Sequence, residues 1–259
     1  MNARRLLAAA VLISTAVGLS ACTSPDESAA EFASWASAEE FVVSVDASPK
    51  SGTAGPYGLS AHLVVDGAID AAQLESLSKA AREKADALVG STAAVNIIVG
   101  NAWGFSVDAE GAHVATINRL RDDAAFVGAT IEYEPLDYTP DYAGGVRGTV
   151  GSQAALRGAN DALIAAVLDS GGQVDGVSLG SSTADGAFGI LGEGTEQPVA
   201  AIQLWQEISG RVVLTAAHAT LVSHSPERLE IGVGSAEDRA TAEAIGARFA
   251  DVTLSVAVG

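Results

Sequence analysis

Three glycines, Gly67, Gly151 and Gly234, each close a strand-like run and open towards a helix, and they lie 84 and 83 residues apart. Leu63-Val64-Val65-Asp66-Gly67 leads to Asp70 with Gln73 three residues on, the reciprocal pattern of a helix N-cap. Val146-Arg147-Gly148-Thr149-Val150-Gly151 leads to Ser152. Leu229-Glu230-Ile231-Gly232-Val233-Gly234 leads to Ser235, with Asp238 in the capping-box place. The stretches between correspond too. Gly104-Phe105-Ser106-Val107-Asp108-Ala109-Glu110-Gly111 matches Ala187-Phe188-Gly189-Ile190-Leu191-Gly192-Glu193-Gly194. A period this long, with its turn residues in step, predicts an internal duplication of about 85 residues and confines the chain to folds built from repeated strand–helix units.

Apolar residues recur at helical spacing after each of these starts. Leu74, Leu77, Ala81 and Leu88 share one helix face, Val114, Ile117, Leu120 and Ala124 a second, and Leu156, Ala159, Leu163 and Val167 a third. Val199, Ile202 and Trp205 mark a fourth, and Ala244, Ile245 and Phe249 a fifth. Thr130-Ile131-Glu132-Tyr133-Glu134 alternates apolar with acidic, as a strand with one wet face does. The reading is α+β: repeated β-β-α units and a closing strand, with helices packed on one face of a mostly antiparallel sheet. One period taken from Leu59 has the ferredoxin-like βαββαβ order.

The N-terminus carries an address. Arg4 and Arg5 precede an apolar stretch over residues 6–19, too short to span a bilayer reliably as a helix. Leu19-Ser20-Ala21-Cys22 then resembles the lipobox of bacterial lipoproteins. That resemblance covers the leader alone. It implies that Cys22 takes a diacylglyceryl group on sulfur, that cleavage precedes it, and that the new amino group is acylated, palmitate being one such chain. It also implies a location on the extracytoplasmic side of a bacterial cell membrane. The domain organisation expected is a signal peptide over 1–21, the lipidated cysteine and a flexible tether over 22–39, a first α+β repeat region over 40–140, and a second over 141–259 with a closing βαβ. The polar, Ala/Ser-rich tether would reach at most about 55–60 Å, with Phe32 and Trp35 able to dock part of it as a short helix.

Cys22 is the single cysteine, so once lipidated it leaves neither a disulfide nor a thiolate metal site. Hydrophobic content of 48% supports a buried core. The chain beyond the leader holds 12 basic and 32 acidic residues, a net charge of −20. Such a surface repels nucleic acid and anionic lipid head groups, and no basic patch offsets it. The partners expected are the membrane, through the lipid, and an envelope protein or small-molecule ligand, with no nucleic acid. No cofactor is expected.

Candidate chemistry is sparse. Gly176-Val177-Ser178-Leu179-Gly180 fits G-x-S-x-G, the elbow that presents a nucleophilic serine where a strand turns sharply into a helix. Asp185, Glu196, His218 and His224 follow in an order compatible with a triad. However, Ser181-Ser182-Thr183-Ala184-Asp185-Gly186 reads as a hairpin, not a helix. Ser76 and Lys79 fit S-x-x-K without its partner motifs and read as the wet side of a helix. His218 and His224, six strand residues apart, stand roughly 20 Å from each other, too far for one metal ion unless a turn intervenes. His62 and His113 read as a surface and a capping residue. Glu110 and Glu193 could form a carboxylate pair only if the repeat brought them together. The expectation is a membrane-anchored, non-catalytic binding or structural protein. The alternatives are a solute-capture lipoprotein of a transporter and an exported serine hydrolase using Ser178.

Overall fold

A computed structural model describes residues 24–52, 55–135, 142–172, 174, 176–222 and 225–259. Helix α1 (Pro25–Ala36) precedes a hairpin of β1 (Val42–Gly52) and β2 (Gly55–Val65). Then come α2 (Ala71–Val89), β3 (Ala93–Val99), β4 (Trp103–Ser106), α3 (Ala112–Asp122), β5 (Phe126–Pro135) and β6 (Tyr142–Val150). The chain continues through α4 (Leu156–Asp169), β7 (Val177–Thr183), β8 (Phe188–Glu193), α5 (Val199–Ser209), β9 (Leu214–Thr220), β10 (Glu227–Val233), α6 (Ala236–Gly246) and β11 (Val252–Val258). All eleven strands form one sheet, in which their spatial order is their order in the sequence.

The starts of the helices follow from local chemistry. Asp70 accepts from the Gln73 amide at 2.8 Å while the Gln73 side chain accepts from the Asp70 amide at 3.1 Å, which fixes the entry to α2. Ser235 caps α6 through the Asp238 amide at 3.1 Å. At α3 the cap is remote: the Asp108 carboxylate accepts from the amides of Ala112 and His113, and Gly111 turns the chain in the left-handed region at φ 76°. Ser152 does not cap α4; a 3₁₀ turn over Gln153–Ala155 intervenes.

Strand register aligns the apolar residues. Leu63, Ile97, Phe105, Ile131, Val146 and Leu179 stand side by side on β2 to β7, none more than 2% exposed. Ile190, Ala219 and Leu229 extend the same face over β8 to β10. Burying each large member contributes roughly 1.5–3 kcal/mol. The six helices cover this face. Leu74, Leu77 and Ala81 of α2, Leu163 and Val167 of α4, and Ile202, Trp205 and Ile208 of α5 are all buried, and Trp205 stacks on Phe188 at 6.0 Å. Arg121 of α3 donates to the carbonyls of Gly67 and Ile69 at the entry to α2, and Asn118 of α3 donates to the Ala71 carbonyl, holding neighbouring helices on one side.

The ferredoxin-like, mostly antiparallel architecture expected from the sequence is overturned. Antiparallel and parallel pairings alternate from β1 to β11, five of each, so the sheet is mixed. A ferredoxin-like unit interleaves its strands because each crossover passes over a neighbour. Here every crossover helix joins immediate neighbours, so no four-stranded unit closes on itself. Gly67, Gly151 and Gly234 follow β2, β6 and β10, but the segments between them continue one sheet and do not form separate folds. The proposed boundary at 140/141 falls between β5 and β6, which pair along their lengths. Strand direction reverses at each hairpin while the helices stay on one face, so successive crossovers alternate in hand. That departs from the strong right-handed preference of such connections.

The segment expected as a tether is largely helical. Ser24 caps α1 by accepting from the Glu27 amide, and the Glu27 carboxylate accepts from the Ser24 amide at 2.9 Å. That backbone hydrogen bond, then the Ser24 hydroxyl, holds the Glu27 carboxyl below its usual range. Pro25 suits the first helical position. Phe32 is fully buried and packs 5.3 Å from the half-buried Trp35, while Lys84 of α2 pairs with Glu31. An apolar ring with a docking site outweighs the polar composition around it. Residues 1–21 and Cys22 lie outside the described residues. Phe32→Ala is expected to cost about 3–5 kcal/mol in urea unfolding; a loss under about 1 kcal/mol would show that α1 is not part of the core.

Candidate functional site: the open face of the sheet

The second face of the sheet is covered by no described element. Its residues follow from the same register, one position out of phase with the core. One row runs Arg147, Gly180, Leu191, Thr220, Arg228 across β6 to β10. The next runs Thr149, Ser182, Gly189, His218, Glu230, Ser255 across β6 to β11. Short polar side chains and glycine predominate in the second row, while the first combines Gly180 and Thr220 with Leu191 and two arginines, so that charges stand at Arg147, Arg228 and Glu230.

Two glycines shape the centre. A Cβ on Gly180 would sit 2.5 Å from the Ile190 carbonyl oxygen, so only glycine permits the approach of β7 to β8 at this point. A Cβ on Gly189 would lie 3.0 Å from Nδ1 of His218, which places the imidazole over β8. The result is a shallow depression of about 130 Å³ whose lining includes Arg147, Ser182, Leu191, His218 and Thr220. It offers one guanidinium, one imidazole and hydroxyl groups, a set that suits a polar or anionic group at a surface. It is open and small, unlike the deep apolar clefts that enclose small-molecule ligands.

The residues singled out from the sequence are scattered. Ser178 is the second residue of β7, inside a strand and not at a turn, and the chain runs on into the β7–β8 hairpin where the elbow motif requires a helix. It faces Glu193 across the pairing. His218 instead shares a row with Ser182, four residues and roughly 13 Å further along β7. Even Ser182 is two strands from His218, about 10 Å between backbones, with Gly189 between them. The Asp185 carboxylate is engaged in its own turn, accepting from the Thr183 hydroxyl at 2.6 Å and the Ala187 amide at 3.0 Å. Glu196 bridges to Glu193 ahead of α5, and His224 lies outside the described residues.

The remaining candidates are structural. Ser76 and Lys79 are exposed on α2, Lys79 lying 3.9 Å from Glu83. His62 is exposed on β2 opposite Asp46. His113 binds the Ser106 carbonyl through Nδ1 at 2.7 Å and stands beside Asp108. Glu110 precedes α3 while Glu193 ends β8, so the repeat separates these carboxylates by several strands. Among the described residues no group of three or more His, Cys, Asp or Glu side chains could hold a metal ion. No described helix is long and apolar enough to cross a membrane. What the sequence did not reveal is the row of Ser182, His218 and Glu230, because cross-strand register, and not spacing along the chain, assembles it.

Comparison with protein family models finds none that matches the chain, and comparisons with curated proteins and with solved structures likewise find no match.

The Asp185 turn carries a pH dependence of known sign. The Thr183 hydroxyl first, and the Ala187 amide second, hold the carboxyl below its ordinary range. Its contribution to stability is therefore present above the unfolded-state pKa and lost as pH falls through the lower folded-state value. Thr183→Val is expected to move the Asp185 titration, followed by carboxyl-carbon NMR, upwards towards that of a free aspartate. An unchanged titration would show that the hydroxyl is not its partner.

Proposed function

We propose that this chain is a non-catalytic binding protein of a bacterial cell envelope, held on the extracytoplasmic side of the membrane by a lipid on Cys22, with an envelope protein as its partner on the open sheet face. The observation that carries the reading is that face itself: polar rows and glycines spread over the middle of the sheet with no helix above them. A broad, shallow, hydrogen-bonding surface suits a protein partner better than an enclosed solute. Solute capture would call for two lobes around a cleft, whereas the described residues form one continuous sheet. Hydrolysis through Ser178 would call for a base within hydrogen-bond reach, and His218 is in another row.

The start of α1 adds a geometric consequence. Only Thr23 stands between Cys22 and the Ser24 cap. A lipid on Cys22 would thus hold the body at the bilayer surface instead of on a long leash. The charge of −20 would keep it from lying flat on anionic head groups.

Three measurements test this reading. A clickable palmitate analogue should label the chain in a bacterial host, and Cys22→Ala should abolish labelling and release the protein on washing; retention of the variant on the membrane would overturn the anchor. A photo-crosslinking side chain at Thr149 should capture a discrete envelope protein that the same side chain at Lys79 does not. Fluorophosphonate labelling that disappears in Ser178→Ala would overturn the non-catalytic reading.

A further inference from the structure

We propose that β11 is a self-association edge, and that two copies of this chain pair antiparallel through it to make a closed dimer with one continuous sheet. The two ends of the sheet are guarded unequally. At one end β1 carries Asp46, Pro49 and Lys50 and has register breaks at both ends of its pairing, and α1 packs beside it. These are the features by which proteins stop edge strands from pairing further. At the other end, Val252-Thr253-Leu254-Ser255-Val256-Ala257-Val258 has no charge, no proline and no bulge along seven paired residues.

The outer edge of β11 is chemically ready. The Gly259 amide donates to the Val233 carbonyl, which sets the phase of the parallel pairing with β10. In that phase the odd-numbered residues of β11 bond to β10. The amides and carbonyls of Leu254, Val256 and Val258 therefore point outwards, and no described strand meets them. Their side chains lie on the helix-covered face yet remain half-buried or exposed, Val258 at 45%, while Leu229, Ile231 and Val233 on adjacent β10 are buried. The missing cover is on the outer flank, where a further strand would lie.

A second copy fits this edge. A two-fold axis at Ser255 sets Leu254 against Val256 of the other copy and Val252 against its Val258. That register matches Leu254 with Val256, both outward-pointing, as antiparallel hydrogen-bonded pairs require; at the ends the Val252 amide already donates to the Phe249 carbonyl, so Val252 meets Val258 through its carbonyl alone. On the open face it sets Ser255 against Ser255 and Thr253 against Ala257, so two strongly acidic chains meet along an uncharged strip. The pairing is isologous and consumes the one unguarded sheet edge among the described residues, so assembly through it stops at two.

The test uses the full chain with Cys22→Ala in mild detergent. Ser255→Cys should form a disulfide-linked dimer on oxidation, because a non-hydrogen-bonded antiparallel pair holds its Cα atoms about 4.5 Å apart, within the range of a disulfide. Ala257→Cys should crosslink poorly alone and efficiently when Thr253→Cys is added. Val256→Pro removes an outward amide without touching the β10 ladder and should weaken dimerisation, followed by sedimentation, by at least about tenfold. Ser255→Lys, which sets two ammonium groups on the axis, should act in the same direction while leaving circular dichroism unchanged. A chain that stays monomeric at all concentrations with Ser255→Cys uncrosslinked would overturn the proposal. So would equal crosslinking from single cysteines at 255 and 257, or a different protein paired to β11.

Discussion

A strand can show a given side chain to only one of two sides, and over eleven strands the pairing registers must all agree for a single core to exist. Here they do. Leu63, Ile97, Phe105, Ile131, Val146 and Leu179 lie in one row because each hairpin and each crossover preserves the phase of the one before. A slip of one residue at any junction would turn every later strand over and expose its apolar set. The helices depend on this agreement, since each buries its apolar stripe on two or three neighbouring strands and on the helix beside it. The open face depends on it as well, because the residues between the apolar ones are what that face consists of.

The same constraint accounts for what the open face can and cannot do. Residues on one strand are spread by the strand's rise, so motifs read along the chain are pulled apart: Ser178 and Ser182 share β7 but not a row. Residues far apart in sequence are brought level instead, as Thr149, Ser182, His218 and Glu230 are. The glycines at 180 and 189 lower the centre of this surface without closing it over. The product is a wide, polar, shallow field, chemically suited to contact with another macromolecular surface and ill suited to enclosing a reacting bond.

Much of the local structure was legible. The reciprocal cap at Asp70 and the one-way cap at Ser235, whose hydroxyl accepts from the Asp238 amide, are where the sequence places them, because side chain and backbone amide lie within three residues and nothing distant intervenes. The stripes Leu74–Leu77–Ala81 and Leu156–Ala159–Leu163 are buried as periodicity requires. Val199, assigned to a buried stripe, is 53% exposed, because α5 seats itself through Ala201, Ile202, Leu204, Trp205 and Ile208 instead. The sheet was not legible in the same way. Parallel and antiparallel neighbours carry the same alternation of apolar residues, so the pattern that predicts each strand does not say which strand lies beside it. The ferredoxin-like order was an inference from sequence succession alone, and the crossovers to immediate neighbours overturn it. Residues 24–36 were legible only in part: their composition is that of a linker, but Phe32 and Trp35 pointed to a docked helix, and with the reciprocal cap at Ser24 that helix takes up most of the segment.

The central claim, one uncovered sheet face that is occupied in the envelope, is tested most directly by thiol reactivity. Single cysteines at Thr130, Thr149 and Ser182 on that face, and at Lys79 and Gln206 on the helices, would be labelled with a water-soluble maleimide in the purified protein and in intact cells. The account predicts that all five react when purified, and that only the three sheet positions are protected in cells. Sheet-face cysteines that stay unreactive in the purified protein, or that react in cells as readily as those on the helices, would contradict it.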